Sequence, residues 1–217
     1  MNVVKMLVPE SKYKKKCPYK MEPNLIVIHN TYNDASARNE ISYMIRNNEE
    51  VSYHYAIDDK EVVQGIEENR NAWHAGDGQG PGNRTGIGIE ICYSKSGGQR
   101  FIQAEKNAAK FTAQLLKKYG WGIDRVKKHQ DFSGKYCPHR TLDMGWQRFL
   151  NMVQDELSSN RKIKIKIDGK VREVDGFMEK GTNHIIVKGV EVPVRDLFEM
   201  LGYTVKWDGK EKCVVIL

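Results

Sequence analysis

The chain has 217 residues, 40% of them hydrophobic and 29% charged, with a formal net charge of +7. That is enough apolar material for one full core plus a small appendage. No stretch approaches the roughly 20 apolar residues of a membrane span, and the start, "MNVVKMLVPESKYKKKCPYK", lacks the apolar run of a secretory signal, so the expectation is a chain made in the cytoplasm without a signal peptide.

In chain order, "LIVIHN" (25–30) reads as a buried strand, and "SARNEISYMIRNN" (36–48) as a helix with Ile41, Met44, Ile45 and Asn48 near one face. "VSYHYAID" (51–58) and "EVVQGI" (61–66) read as strands joined by a turn at Asp58-Asp59-Lys60. Residues 67–84, around "GDGQGPGN", read as a long Gly-rich loop, which in a compact domain is usually functional or disordered. "TGIGIEICY" (85–93) is a strand, "QAEKNAAKFTAQLLKKYG" (103–120) a helix stopped by Gly120, "VKKH" (126–129) a short strand and "DMGWQRFLNMVQDEL" (143–157) a last helix. Strands alternating with helices predict an α/β domain, a mixed central sheet flanked by helices, over residues 1–158. Beyond it, residues 159–217 form a small α+β domain: a hairpin turning at Asp168-Gly169, an extended "HIIVKGVEVPV", a short helix closed by Gly202 and a second hairpin near Asp208-Gly209.

The four cysteines, Cys17, Cys92, Cys137 and Cys213, are far apart and read as reduced thiols, with at least one available as a ligand. "KKHQDFSGKYCPHR" (127–140) offers His129 and Cys137 as half of a zinc site, with His139 competing for the second place. Catalytic zinc takes three protein ligands and keeps one position open. The third ligand is to come from His29, His54 or His74; His29 ends the strand "LIVIH", where functional groups of such sheets gather. In "TGIGIEICY", Ile87, Ile89 and Ile91 alternate onto one face while Gly86, Gly88, Glu90 and Cys92 share the other. A carboxylate beside two glycines lines a place that another body approaches closely, and beside zinc it is a natural general base. Lys135 points the same way as Cys137 and suits an oxyanion.

The stretches "IVIHNT", "VSYHYAID", "NAWHAGDG", "IGIEICYS" and "HQDFSGKYCPHR" together resemble, in order, the type-2 zinc N-acetylmuramoyl-L-alanine amidases, including phage endolysins and peptidoglycan recognition proteins. The resemblance implies zinc held by His29, His129 and Cys137, with Glu90 as general base and Lys135 at the oxyanion. It implies hydrolysis of the amide between N-acetylmuramic acid and L-alanine, and lysis of the bacterial wall after release from the cell. His74, Tyr53 and Trp73 are expected at the substrate groove. Because neighbours on a strand alternate, only one of Tyr53 and His54 can face the metal. Where many relatives read Cys-Pro-Gly this chain has Cys137-Pro138-His139, which makes His139 a surface or substrate-side residue. The expected partner is peptidoglycan, with neither nucleic acid nor membrane, and a monomeric catalytic domain. A nucleic-acid binder lacks support, since there are no paired Cys ligands, and no His-Glu-x-x-His helix suggests a zinc peptidase. "VEVPVRDLFEMLGYTVKWDGKEKCVVIL" resembles the copper-amine-oxidase N-terminal-like module of wall proteins, and the small domain is expected to bind the wall.

Overall fold

The computed structural model describes residues 2–158, 162–179, 182–187 and 190–217. It divides into two compact units, Met1–Gln154 and Asp155–Leu217. The first contains β1 (Val3–Lys5), α1 (Tyr13–Lys16), β2 (Leu25–Asn30), α2 (Ala37–Arg46), β3 (Tyr55–Ile57), β4 (Val62–Gln64), α3 (Pro81–Thr85), β5 (Gly86–Ile91), α4 (Gly98–Tyr119), β6 (Val126–Lys128), α5 (Gln130–Ser133), α6 (His139–Asp143) and most of α7 (Trp146–Ser158). The second contains β7 (Lys162–Ile167), β8 (Lys170–Glu179), β9 (Thr182–Val187), β10 (Val190–Pro193), α8 (Val194–Met200), β11 (Val205–Asp208) and β12 (Cys213–Ile216). The expected boundary after residue 158 falls at the end of α7, four residues beyond the division between the units.

The first unit is a mixed sheet in the order β1-β4-β3-β5-β2-β6, flanked by helices, as expected. β2 lies inside it, parallel to β5 on one side and β6 on the other. Ile26, Val27 and Ile28 are wholly buried, as are Ile87, Ile89 and Ile91 of β5. This is the continuous apolar pattern of parallel strands covered on both faces. Parallel neighbours end on the same side, so His29, Glu90 and His129 all emerge at the carboxyl edge of three adjacent strands. His29 sits opposite Glu90 in register, and the His129 amide donates to the Ile28 carbonyl at 3.3 Å, carrying the β6 alignment one residue further.

Two expectations change at the edges. The strand expected over 51–58 is only Tyr55–Ile57, and ahead of it Ser52 bonds outside the sheet, its amide donating to the Trp73 carbonyl at 3.0 Å and its hydroxyl to the Lys16 carbonyl at 2.6 Å. The Gly-rich stretch 67–84 is not an open loop. Asp77 accepts from the Gly82 and Asn83 amides, and Asn83 accepts in turn from the His74 and Ala75 amides, which ties the segment to the start of α3.

The basic N-terminus has a structural task as well. Lys12 donates to the Ile45 and Arg46 carbonyls and Lys15 to the Asn48 carbonyl, while buried Lys16 reaches the Asn47 side chain. These ammonium groups satisfy the open carbonyl end of α2 and meet its negative dipole end.

In the second unit a six-stranded sheet runs β10-β9-β8-β7-β12-β11. The Asp168-Gly169 hairpin is as predicted, with both residues at positive φ (51° and 74°), the requirement of a tight two-residue turn. Its core gathers Ile165, Ile185, Val194, Val205, Val214 and Ile216. Cys213 is buried. Residues 159–161 of the linker "SSNRK" and residues 188–189 of "HIIVKGVEVPV" lie outside the described residues.

Candidate metal centre and active site

His29, His129 and Cys137 converge, all buried, with their ligand atoms within 4.8 Å of one another. His29 Nδ1 lies 3.0 Å from His129 Nδ1 and 3.9 Å from Cys137 Sγ. His54 and His74, the other two candidates for the third position, stand behind this group rather than in it.

The hydrogen-bond network fixes which nitrogens carry protons. His74 Nε2 lies 3.2 Å from the Gly86 carbonyl, which can only accept, so His74 Nε2 is protonated and its Nδ1 carries a lone pair. His29 Nε2, 3.0 Å from that Nδ1, must therefore donate, which leaves the His29 Nδ1 lone pair facing the cluster. The His129 ring also bonds the Ala75 backbone, and its Nε2 is the nitrogen on the Gly76 side; with the proton of the neutral ring held there, its Nδ1 is bare too. Two lone pairs 3.0 Å apart with no proton between them repel unless a cation receives both.

The donor set fits zinc. Tetrahedral zinc at its usual bond lengths holds two nitrogens about 3.3 Å apart and a nitrogen and a sulfur about 3.6 Å apart. Two imidazoles and a thiolate are borderline-to-soft ligands that suit that ion. Burial holds the histidines neutral, the form that ligates: His29 is pushed well below its ordinary value, His129 down to about 4 and His74 to about 3. Burial and the nearby Glu90 charge raise the Cys137 thiol to about 12, so its ionisation calls for a cation.

Cys137 owes its place to Asn30, a residue sequence reasoning missed. Asn30 Oδ1 accepts from the Arg140 and Thr141 amides at 3.0 and 3.1 Å, and its backbone bonds the Cys137 sulfur. The available signal was a polar Asn ending a buried strand, where its amide needs partners.

Glu90 sits beside the cluster. Burial, reinforced by the Glu40 charge, raises its carboxyl to about 8, with Lys135 pulling the other way. Its Oε2 is buried without a protein partner among the described residues. Lys135 is exposed, and its charge is felt at His29, His129, Glu90 and Cys137. The cluster opens into a cavity of about 840 Å³ whose wall includes Glu90, Lys135, Trp73, His74, Tyr32, Tyr136 and His139, a usual size for a ligand site.

The remaining expectations separate. The body that approaches the strand glycines is the chain's own: a side chain at Gly88 would meet the His74 ring at 2.7 Å, and one at Gly86 the Gly82 carbonyl at 2.4 Å. Tyr53 does not line the cavity. It is buried, with its hydroxyl donating to the Glu40 carbonyl at 3.0 Å and lying 3.2 Å from the Glu40 carboxylate. His54 is fully buried and doubly bonded, accepting from the Gly88 amide and donating to the Arg70 carbonyl, so neither of this adjacent pair reaches the metal cluster. His139 is a wall residue, donating to the Ser94 carbonyl at 3.2 Å.

A family model described as N-acetylmuramoyl-L-alanine amidase matches residues 19–140, which include every residue of this site. The chain belongs to that family. It is 62% identical over 159 residues to the N-acetylmuramoyl-L-alanine amidase CwlA of Bacillus subtilis, covering 72% of this chain and 58% of that protein. An amidase of the same name from a Bacillus species is 45% identical over 206 residues, covering 94% of this chain and 82% of that protein. The solved structure of PlyL superposes with a TM-score of 0.70 at 55% identity, covering 74% of this chain and 99% of PlyL. The catalytic domain of XlyA gives a TM-score of 0.65 at 35% identity, covering 70% of this chain and 99% of that domain. The chain spans only a little over half the length of the Bacillus subtilis relatives CwlA and XlyB, 58% and 52%. The family match stops at Arg140, short of the second unit, whose likeness to a wall-protein module has no counterpart in it. Among the described residues no helix is long and apolar enough to cross a membrane.

Proposed function

We propose that this chain is a zinc-dependent N-acetylmuramoyl-L-alanine amidase that cleaves the amide between N-acetylmuramic acid and L-alanine in bacterial peptidoglycan. The observation that carries the reading is the pair of facing Nδ1 lone pairs on His29 and His129, completed by Cys137 Sγ and flanked by a carboxylate with an unpartnered oxygen. His29 and His129 would hold the ion through Nδ1 and Cys137 through Sγ. Zinc, when bound, supplies Lewis acidity toward water and the scissile carbonyl. Glu90 Oε2 takes the proton from the attacking water and returns it to the leaving amine of L-alanine, and its raised affinity for a proton suits the second half of that exchange. Lys135, exposed at the cavity wall, donates to the oxygen that gains charge as the carbonyl carbon becomes tetrahedral. Trp73 and His74 border the groove, and His74 also steers His29.

The test is to measure zinc in the purified protein and then the new amino termini released from purified wall, with and without chelator. One bound zinc and chelator-sensitive amine release are expected. Amine release that survives complete removal of metal would sink the reading.

We further propose that residues 159–217 form a wall-targeting unit. The alignment with the Bacillus amidase runs through 94% of this chain, and so into that unit, and a wall-binding unit joined to a wall hydrolase raises its local concentration at the substrate. Deleting residues 160–217 is expected to reduce co-sedimentation with wall while sparing hydrolysis of soluble fragments. Unchanged sedimentation would discard targeting.

A further inference from the structure

Tyr32 stands out in the cavity wall. Its backbone lies at φ 59°, in the left-handed region that a bulky side chain rarely adopts. Its side chain is nonetheless 71% exposed, so no buried apolar contact offsets that strain. The position is held from several directions. The Tyr32 amide donates to Ser94 Oγ at 2.7 Å. Next to it, the Lys95 amide donates to the Asn33 carbonyl, Asn33 bonds Glu40, and Asp34 accepts from both the Ser96 amide and hydroxyl at 2.9 Å. The ring is braced edge-on by His139, centroids 4.6 Å apart, and His139 is itself fixed to the Ser94 carbonyl. Backbone strain, a rigid loop and an exposed aromatic ring over a cavity together describe a contact surface set in advance for something that enters.

On this basis, and resting on the amidase reading above, we propose that Tyr32 is a specificity-determining platform that stacks on the glycan ring of the substrate, on the muramic side of the scissile bond. The substrate has two halves with different chemistry. The sugar is a neutral ring whose C–H face matches the negative face of an aromatic ring. The stem peptide carries charged groups that call for charged partners. The wall around Tyr32 offers two ring systems, from Tyr32 and His139, and the Thr31 hydroxyl.

The test compares wild-type full-length protein with Tyr32→Gly, Tyr32→Phe and Tyr32→Trp. The readouts are thermal stability, kcat and KM on soluble wall fragments, and binding of peptide-free glycan fragments against an L-alanine-initiated stem dipeptide. Tyr32→Gly removes the ring and relieves the backbone, so it is expected to match or exceed wild-type stability while KM rises about 3- to 10-fold with kcat little changed. Glycan binding weakens by the same factor and dipeptide binding does not. Tyr32→Phe and Tyr32→Trp keep a ring face and stay near wild type. Unchanged KM in Tyr32→Gly, or weakened binding of the dipeptide alone, would overturn the proposal while leaving the amidase reading intact. A wild-type protein that hydrolyses no wall amide would instead overturn the reading on which it rests.

Discussion

A buried imidazole with both nitrogens committed, such as His74, acts by steering its neighbour. It takes its own proton direction from the Gly86 carbonyl and sets that of His29. Such outer partners typically matter 10–100-fold in metal affinity. His74→Leu keeps an apolar bulk in the site but lets His29 rotate and change tautomer, so zinc affinity is expected to fall by about that factor in competition with a chromophoric chelator. An unaltered affinity would remove His74 from the centre. Glu90 gives the complementary case. Its buried, unpartnered oxygen serves no folded contact, so Glu90→Ala is expected to retain zinc and a melting temperature at or above wild type. Wall hydrolysis should fall by about 10²–10⁴. Full activity in that variant would exclude Glu90 as the base.

At the scale of the element, strand β5 works as a spacer for the centre. Gly88 leaves the room the His74 ring occupies, and a methyl group there would sit 2.7 Å from it. Gly88→Ala is therefore expected to cost about 1–3 kcal/mol in denaturant unfolding, the usual scale of overpacking, and to weaken zinc together with stability; an unchanged unfolding midpoint would contradict this packing. The same strand shows what was legible in the sequence. Alternating isoleucines opposite two glycines and a glutamate fixed which face was special, because period-two patterning survives any detail of tertiary packing. The chain ends of β2 and β6 were legible for a similar reason: a histidine closing an apolar run has few structural excuses. Asn30 and the lysines ahead of β2 that bond the carbonyl end of α2 were not legible. Each depends on partners far along the chain, 110 residues away for Asn30 and Arg140, and no local pattern announces such a bond. Alternation tells only that two neighbours diverge; here both are taken up by buried partners, Tyr53 by Glu40 and His54 by Arg70 and Gly88, so Tyr53 lies off the cavity.

At the scale of the whole molecule, buried histidines make stability depend on pH. His54 lies outside the metal cluster, and burial lowers it from an ordinary value near 6.5 to about 4. Below about pH 6.5 the unfolded chain takes up a proton that the folded chain refuses, so acid favours unfolding. The contribution is fully present above pH 6.5 and is lost as pH falls toward 4, an effect of roughly 3 kcal/mol at about 1.4 kcal/mol per unit. Urea midpoints of metal-free protein should therefore decline between pH 6.5 and 4.5, and His54→Gln should flatten the decline. Equal slopes in the two proteins would show that His54 is not the sensor.

The ligand positions in the chain carry one more consequence. His29 belongs to an early strand, whereas His129 and Cys137 follow the last strand to join the sheet. A ribosome that has placed residue 128 has made a chain with a single member of the trio. The edge strand must dock before the other two arrive. In a protein proposed to dismantle the wall of a bacterium, a chain cut short before residue 129 therefore carries one ligand of the three and has no metal site to work with.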